Sequence, residues 1–264
     1  MNGLRHFLLA LQFFTRVPVT GALAGWVGFS PAMLRASAAH FPGIGWLVGA
    51  LGAAVFVAAQ AGLPGWPGAL AAAVLSTLAT VRMTGAFHED GLADVADGLG
   101  GSPDRARALE IMKDSRIGAF GALALVLALA LKLALLATLA AQGFAAVAVA
   151  LLGAHVLSRL APLFLIRALP YVGSETGSKA KPLADAIEAR ALATGVLWSL
   201  PAAALLLWMH GLAHGLAALG LCALAALYMA HLLRRRLQGF TGDGLGATQQ
   251  VCELAIYLAL AWHA

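Results

Sequence analysis

The sequence predicts an all-α integral membrane protein, a polytopic bundle of about six to seven transmembrane helices with its long polar loops on one side. Composition, the spacing of apolar runs and the placement of charge carry this. The 264-residue chain is 61% hydrophobic and 11% charged, with a mean hydropathy of +0.85. A soluble domain is nearer 45–50% apolar and about 25% charged. The apolar residues fall into several runs of roughly 17 or more, enough to span about 30 Å of hydrocarbon as helix. Helix is the expected state because a lipid-exposed segment must satisfy its own backbone hydrogen bonds, and the period-2 alternation of a barrel is absent.

The expected spans are 43–63, 66–84, 119–141, 144–168, 192–209 and 211–233, with an apolar tail at 251–263 that crosses or only enters the bilayer. Residues 1–42, with Arg5 and Arg16 around an apolar stretch, read as an interfacial segment whose start is an amphipathic surface helix. The whole of 1–264 reads as one membrane domain. Short turns such as Leu63-Pro64-Gly65 and Gln142-Gly143 alternate with long polar connections at 85–118, 170–191 and 234–250. Alternating crossings place all three long connections on one side.

Charge gives a separate test of that topology. The 12 carboxylates fall in those long loops or, for Glu253, at a span end beside one. Arg105, Arg107, Lys113, Arg116, Lys179, Lys181, Arg190 and the run Arg234-Arg235-Arg236 share that face, which is therefore expected to be cytoplasmic, in an inner membrane. Positive-inside topology accounts for the net charge of +5 without a nucleic-acid partner. Cys222 and Cys252 lie far apart in apolar sequence and support neither a disulfide framework nor a cysteine metal site. A transporter keeps ionisable groups near the midplane, whereas here only Lys132, His155, Arg159 and Arg167 lie within apolar runs.

The acidic loop 85–118 is the richest stretch. Asp90, Asp94 and Asp97 are spaced i, i+4, i+7, so a helix would hold three carboxylates within about 60° of one another. Such a face is repulsive without a counter-cation, and its oxygen donors suit a hard divalent ion such as Mg2+. A solvated acidic surface is the plain alternative. It is weakened because charges are scarce in this chain. Glu89 is a further candidate ligand or a group supporting one. His88 is a candidate to orient a phosphate or carry a proton, or else a histidine with a local hydrogen bond. Between 105 and 121, Glu110 and Asp114 are i, i+4 on an expected surface helix. There Lys113 and Arg116 are candidates to offset charge on a transferred phosphate, against ordinary interfacial snorkelling. The segment Gly239-Phe240-Thr241-Gly242-Asp243-Gly244 forms a tight polar loop in which Asp243 could supply another metal ligand and Thr241 a phosphate contact. Arg159 and the hydroxyl-rich 173–179 loop add a buried cation and a candidate lid.

The chain resembles the membrane cobalamin synthases, the adenosylcobinamide-GDP ribazoletransferases. The likeness is carried by Leu11-Gln12-Phe13-Phe14-Thr15-Arg16-Val17-Pro18, His40-Phe41-Pro42-Gly43-Ile44-Gly45, the run from His88 to Gly98, Glu110 to Gly118, and Thr241 to Ala247. Three departures stand out. Ala86 and Glu89 occupy positions where the family more often has Gly and an apolar residue, and Gln238 precedes Gly239 where a second Gly is common. The resemblance implies that α-ribazole or its 5′-phosphate is joined to adenosylcobinamide-GDP, giving adenosylcobalamin or its phosphate plus GMP, with Mg2+. It implies metal ligands among Glu89, Asp90, Asp94, Asp97 and Asp243, catalytic roles for Asp94, Asp97, His88, Lys113 and Arg116, and substrate contacts from Arg159, Asp114, Ser115 and Thr241. The sequence leaves a homo-oligomer open. The rival readings are a CDP-alcohol phosphotransferase, whose Asp-x-x-Asp-Gly core is similar to Asp94-Val95-Ala96-Asp97-Gly98 but whose later aspartates have no match after Gly98, and a transporter.

Overall fold

In the computed structural model, described over residues 2–173 and 187–262, the chain is almost entirely helical. Three short helices precede the bundle: α1 (Asn2–Phe14), α2 (Gly21–Val27) and α3 (Pro31–Ser37). Then follow α4 (Phe41–Gly62), α5 (Gly65–Thr84), α6 (Phe87–Gly101), α7 (Arg105–Ile111), α8 (Ala119–Leu139), α9 (Phe144–Ala168), α10 (Ala189–Leu237) and α11 (Gly242–Ala261). The expected lid residues 174–179, with Glu175, Lys179, Lys181 and Asp185, lie outside the described residues.

α4, α8, α9 and α10 are each long and apolar enough to cross a membrane, and α5 and α6 qualify as a bent pair. α10 is two arms, because Gly211 has φ 78° and ψ 163° and turns the chain back on itself. That break sits where the sequence divides its spans 192–209 and 211–233. α9 is the central helix, with 83% of its apolar stretch buried. The corresponding shares for α8 and α10 are only 28%, and side chains such as Leu123, Val126, Leu127, Leu197, Trp208 and Leu224 stand exposed on them. A surface of that size and apolarity fits lipid, not water.

Small residues let the central helices approach. A Cβ on Gly45 of α4 would fall 2.7 Å from the Cα of Val156, and one on Gly49 would fall 2.9 Å from the Cα of Leu152. This i, i+4 pair is the small-residue contact by which membrane helices associate when hydrocarbon offers no hydrophobic drive.

α11 corrects one expectation. The chain enters the bundle at Gly242, about nine residues earlier than the 251–263 tail suggests, because the Thr241 hydroxyl accepts the Gly244 N–H and caps the helix. The helix then runs the full depth. Its start lies against α6, and near its far end the Leu260 carbonyl accepts from Gln142 in the turn before α9. Glu253 is therefore not at a span end but 1% exposed in the bundle interior.

The long connections converge at one end. α6 turns 89° from α5 and lies across that end. Arg105 Nε donates to the Leu237 carbonyl at 2.7 Å, and Arg236 donates to the carbonyls of Leu99 and Ser102, so the 85–118 and 234–250 segments meet as the topology requires. α1 covers the same end: Phe14 stacks on Phe41 at 4.1 Å, and the Arg16 N–H donates to the Met83 carbonyl.

The 89° turn is made by two successive left-handed residues, Gly85 (φ 69°) and Ala86 (φ 59°). Among the described residues, the non-glycines with positive φ are Ala86 and Gln238 (φ 61°). These are two positions at which the resemblance leads one to expect Gly. A Cβ in that region costs about 1–2 kcal/mol. Replacing Ala86 or Gln238 by Gly should therefore raise stability in detergent by about 0.5–1 kcal/mol after the added freedom of the unfolded chain is subtracted. Thermal midpoints of the two variants and their combination check this, with additive gains expected.

Candidate active site

α6 carries the acidic triad across the loop-bearing end of the bundle. Its residue types give it two faces: Asp90 is exposed and Asp94 half-buried, whereas His88, Gly91, Val95 and Gly98 turn into the protein. Gly91 is where α6 meets α11. A Cβ there would fall 2.7 Å from the Asp243 carbonyl oxygen and 3.0 Å from its Cα. This crossing delivers Asp243, from 149 residues further along the chain by the numbering, to the triad.

The result is a field of like charge. Burial pushes the Asp94 carboxyl up to about 7, reinforced by Asp243, Asp90 and Asp97 in that order. Among the described residues, no three His, Cys, Asp or Glu side chains converge closely enough to enclose an ion by themselves. The donor set suits Mg2+ in its usual mode, one or two carboxylates with waters and substrate phosphate oxygens completing the shell.

Asp97 does something different. Its Oδ2 accepts the Gly118 N–H at 2.7 Å and its Oδ1 accepts the Gly121 N–H at 2.8 Å. It thus caps the first turn of α8 from another helix, where a carboxylate also complements the helix dipole. The sequence groups Asp97 with Asp90 and Asp94. The structure shows both of its oxygens already committed to amides.

The other expected residues divide between surface and core. Lys113, Ser115 and Arg116 are exposed in the turn between α7 and α8, and Arg116 forms a forked pair with Asp114 at 2.6–3.2 Å. Asp114 and Arg116, with Asp97, Arg107 and Glu110, line a cavity of about 620 Å3 between the end of α6, α7 and the start of α8. Thr241 is buried and used as the α11 cap. His88 is 1% exposed and stacks on Phe41 at 5.8 Å. Burial, with the Arg159 charge behind it, holds its pKa well below the ordinary histidine value and keeps it neutral. Glu89 also faces inward, accepting from Gln250 Nε2 at 3.1 Å. Arg159 is 2% exposed inside α9, bonded to His155 and set over the Phe41 ring, so it does not line the cavity.

Sequence reasoning missed a second polar group behind the acidic face. Lys132 and Glu253 form an ion pair of 2.7 Å, each at most 3% exposed. Ser158, Gln249, Gln250 and Tyr257 hydrogen-bond around it. The signal was Gln249-Gln250 at the head of an apolar helix, with Glu253 at i+4 and i+3.

Comparison with known proteins decides the lineage. The family model described as cobalamin-5-phosphate synthase matches residues 6–261. The chain belongs to that family. A relative from Albidiferax ferrireducens is 57% identical over 98% of each chain, and one from Polaromonas naphthalenivorans is 57% identical over 99% of each. A third, from Leptothrix cholodnii, is 48% identical over 96% of this chain and 94% of its own. All three carry the name adenosylcobinamide-GDP ribazoletransferase. No solved structure matches the chain.

Asp94 and Asp97 lie one turn apart and should respond to substitution with opposite sign. The raised Asp94 carboxyl lets the folded protein bind a proton that the unfolded chain releases near pH 3.8, so this group's stabilising share is lost as pH rises from there through about 7. Asp94→Asn should raise the thermal midpoint of metal-free protein at pH 8 and flatten its fall between pH 5 and 8. Asp97→Ala removes the α8 cap and should lower the midpoint, at a cost of about 1–3 kcal/mol. Midpoints measured against pH in chelator-treated detergent samples check both.

Proposed function

We propose that this protein is the membrane transferase that joins adenosylcobinamide-GDP to α-ribazole or α-ribazole 5′-phosphate, forming adenosylcobalamin or its phosphate and releasing GMP. Near-full-length similarity to relatives bearing that name supports the reading. The observation in the molecule that carries it is the crowding of Asp90, Asp94 and Asp243 where α6 crosses α11, on the same helix whose far end, from Asp97 to Gly101, lines a cavity large enough for part of a nucleotide substrate. Crowded carboxylates that raise one another's proton affinity are suited to share a divalent ion and a diphosphate.

The transfer needs an oxygen–phosphorus bond to form at the cobinamide-side phosphorus and the bond to GMP to break in line. When bound, Mg2+ supplies Lewis-acid stabilisation of the diphosphate and its developing charge. Asp90, Asp94 and Asp243 would hold that ion, with waters and substrate oxygens completing its shell. Asp97, by fixing the start of α8 against α6, sets the wall of the cavity. A carboxylate oxygen of the exposed Asp90 takes the proton of the attacking ribazole hydroxyl, a role that buried His88 cannot reach. Lys113 and Arg116 in the turn before α8 offset the charge of the diphosphate, with Arg116 exchanging Asp114 for substrate oxygens. The acidic end faces the cytoplasm of the inner membrane, consistent with Arg105, Arg107, Lys113 and Arg234–Arg236 clustered there.

Incubating detergent-solubilised protein with adenosylcobinamide-GDP, α-ribazole and Mg2+ should yield GMP and cobalamin in equal amounts. Chelation should stop the reaction. Asp94→Asn should lower turnover at least a hundredfold while expression and membrane insertion persist. Undiminished turnover in that variant removes Asp94 from the site, and release of CMP from a CDP-alcohol substrate would move the chain to the rival chemistry.

A further inference from the structure

The Lys132–Glu253 pair, with His155 Nδ1 at 3.4 Å from Glu253, is a polar cluster that packing alone does not require. Replacing a buried ion pair with apolar side chains of similar volume is often neutral or stabilising, and the helices here already associate through close glycine contacts. What the pair does have is connectivity. Lys132 Nζ on α8 meets Glu253 Oε1, and Glu253 Oε2 accepts Gln249 Nε2 at 2.6 Å. The same Gln249 amide donates to Ser158 Oγ of α9 at 2.9 Å, and its oxygen accepts Gln250 Nε2 at 3.1 Å. Gln250 Nε2 then donates to Glu89 Oε1 of α6 at 3.1 Å. The contacts run without a gap from the middle of the bundle to the residue before Asp90.

We propose that this run of contacts is a positioning device for the transfer reaction: Gln250, held through Gln249 by the Lys132–Glu253 pair, fixes Glu89 and so sets the register in which the acidic face of α6 meets Asp243. The inference rests on the transferase reading given above. Asp243, Gly246 and Gln250 are spaced i, i+3, i+7 and share one face of α11. That face meets α6 in sequence: Asp243 at Gly91, Gly246 at the His88 backbone, Gln250 at Glu89. The two glycine contacts are non-directional and tolerate sliding. The Gln250–Glu89 bond is directional, and the other Glu89 oxygen has no partner among the described residues. Gln250 is therefore the fixed point of that carboxyl. Losing it frees α6 to shift beneath Asp90 and Asp94, and a displacement of about 1 Å in a reacting constellation can cost around a hundredfold.

Gln250→Leu keeps an apolar side chain without a branch at Cβ, compatible with helix, and removes the donor. Its kcat should fall ten- to a hundredfold while KM for α-ribazole stays within about threefold, because substrate contacts remain. Gln250→Glu should lose as much, and adding Glu89→Gln should recover most of it, since amide and carboxyl have exchanged places. The pair Lys132→Met with Glu253→Leu removes one charge of each sign and leaves the buried Arg159 with Glu89 as its counter-charge, so its thermal midpoint should fall by far less than its activity while kcat falls as in Gln250→Leu. A midpoint that drops in step with activity would mean the network is only structural and would overturn the proposal. So would full kcat in Gln250→Leu, or no recovery in a folded exchange variant. Mn2+ binding, followed by loss of the free-ion electron paramagnetic resonance signal, asks the question without turnover. Wild type should bind several-fold more tightly than Gln250→Leu, and equal binding, or none in either, defeats the idea. A wild type that binds Mn2+ in this pattern but releases no GMP sinks the reaction assignment instead.

Discussion

Carboxylates that repel one another are kept together here by the crossing of α6 over the first turn of α11, where Gly91 lets the two backbones approach to contact. Everything at the acidic end depends on that crossing. It brings Asp243 to Asp94, it crowds charge enough to hold the Asp94 carboxyl near 7, and it makes the site one that asks for a counter-ion. Nothing in the attraction between its members would assemble it. The energy comes from elsewhere: from the α4–α9 small-residue interface and from the apolar packing that drives α11 through the bundle.

Two carboxylate populations therefore coexist and obey different rules. Glu253 is fully buried and satisfied within the protein, by Lys132, Gln249 and Tyr257. Asp97 is likewise satisfied, by two amides of α8. Among the described residues, no amide or cation compensates Asp90, Asp94 and Asp243 in this way, and such a deficit suits something bound from outside. This division separates residues that build the site from residues that work in it, although both kinds read as the same letters in the sequence.

That ambiguity explains what the sequence could and could not show. The bundle was legible because lipid imposes span length and loop alternation on the chain, and the expected spans match α4, α5, α8, α9 and both arms of α10 closely. The placement of Asp90 and Asp94 one turn apart on α6 was legible because i, i+4 spacing fixes a helical face. The start of α11 was not, because Gly242, Gly244 and Gly246 read as a loop, and only the Thr241 cap together with close packing on α6 makes them helical. Asp97 was misgrouped because its partners lie 21 and 24 residues away, at amides that carry no side-chain signal. Arg159 and His88 read as site residues, yet both are buried behind the face.

The backbone at Ala86 and Gln238 adds a further step. At Ala86 and Gln238 the chain accepts left-handed backbone without glycine, at the two ends of the segments that meet on the acidic face. Strain of this size persists only where surrounding contacts over-determine the turn. Gly85 beside Arg16 and the Gly239 backbone against Pro170 supply such contacts. The turns that launch α6 and α11 are therefore held by their neighbours rather than by local preference. For a site made of mutually repelling groups this matters, because a turn that could relax on its own would let the carboxylates drift apart.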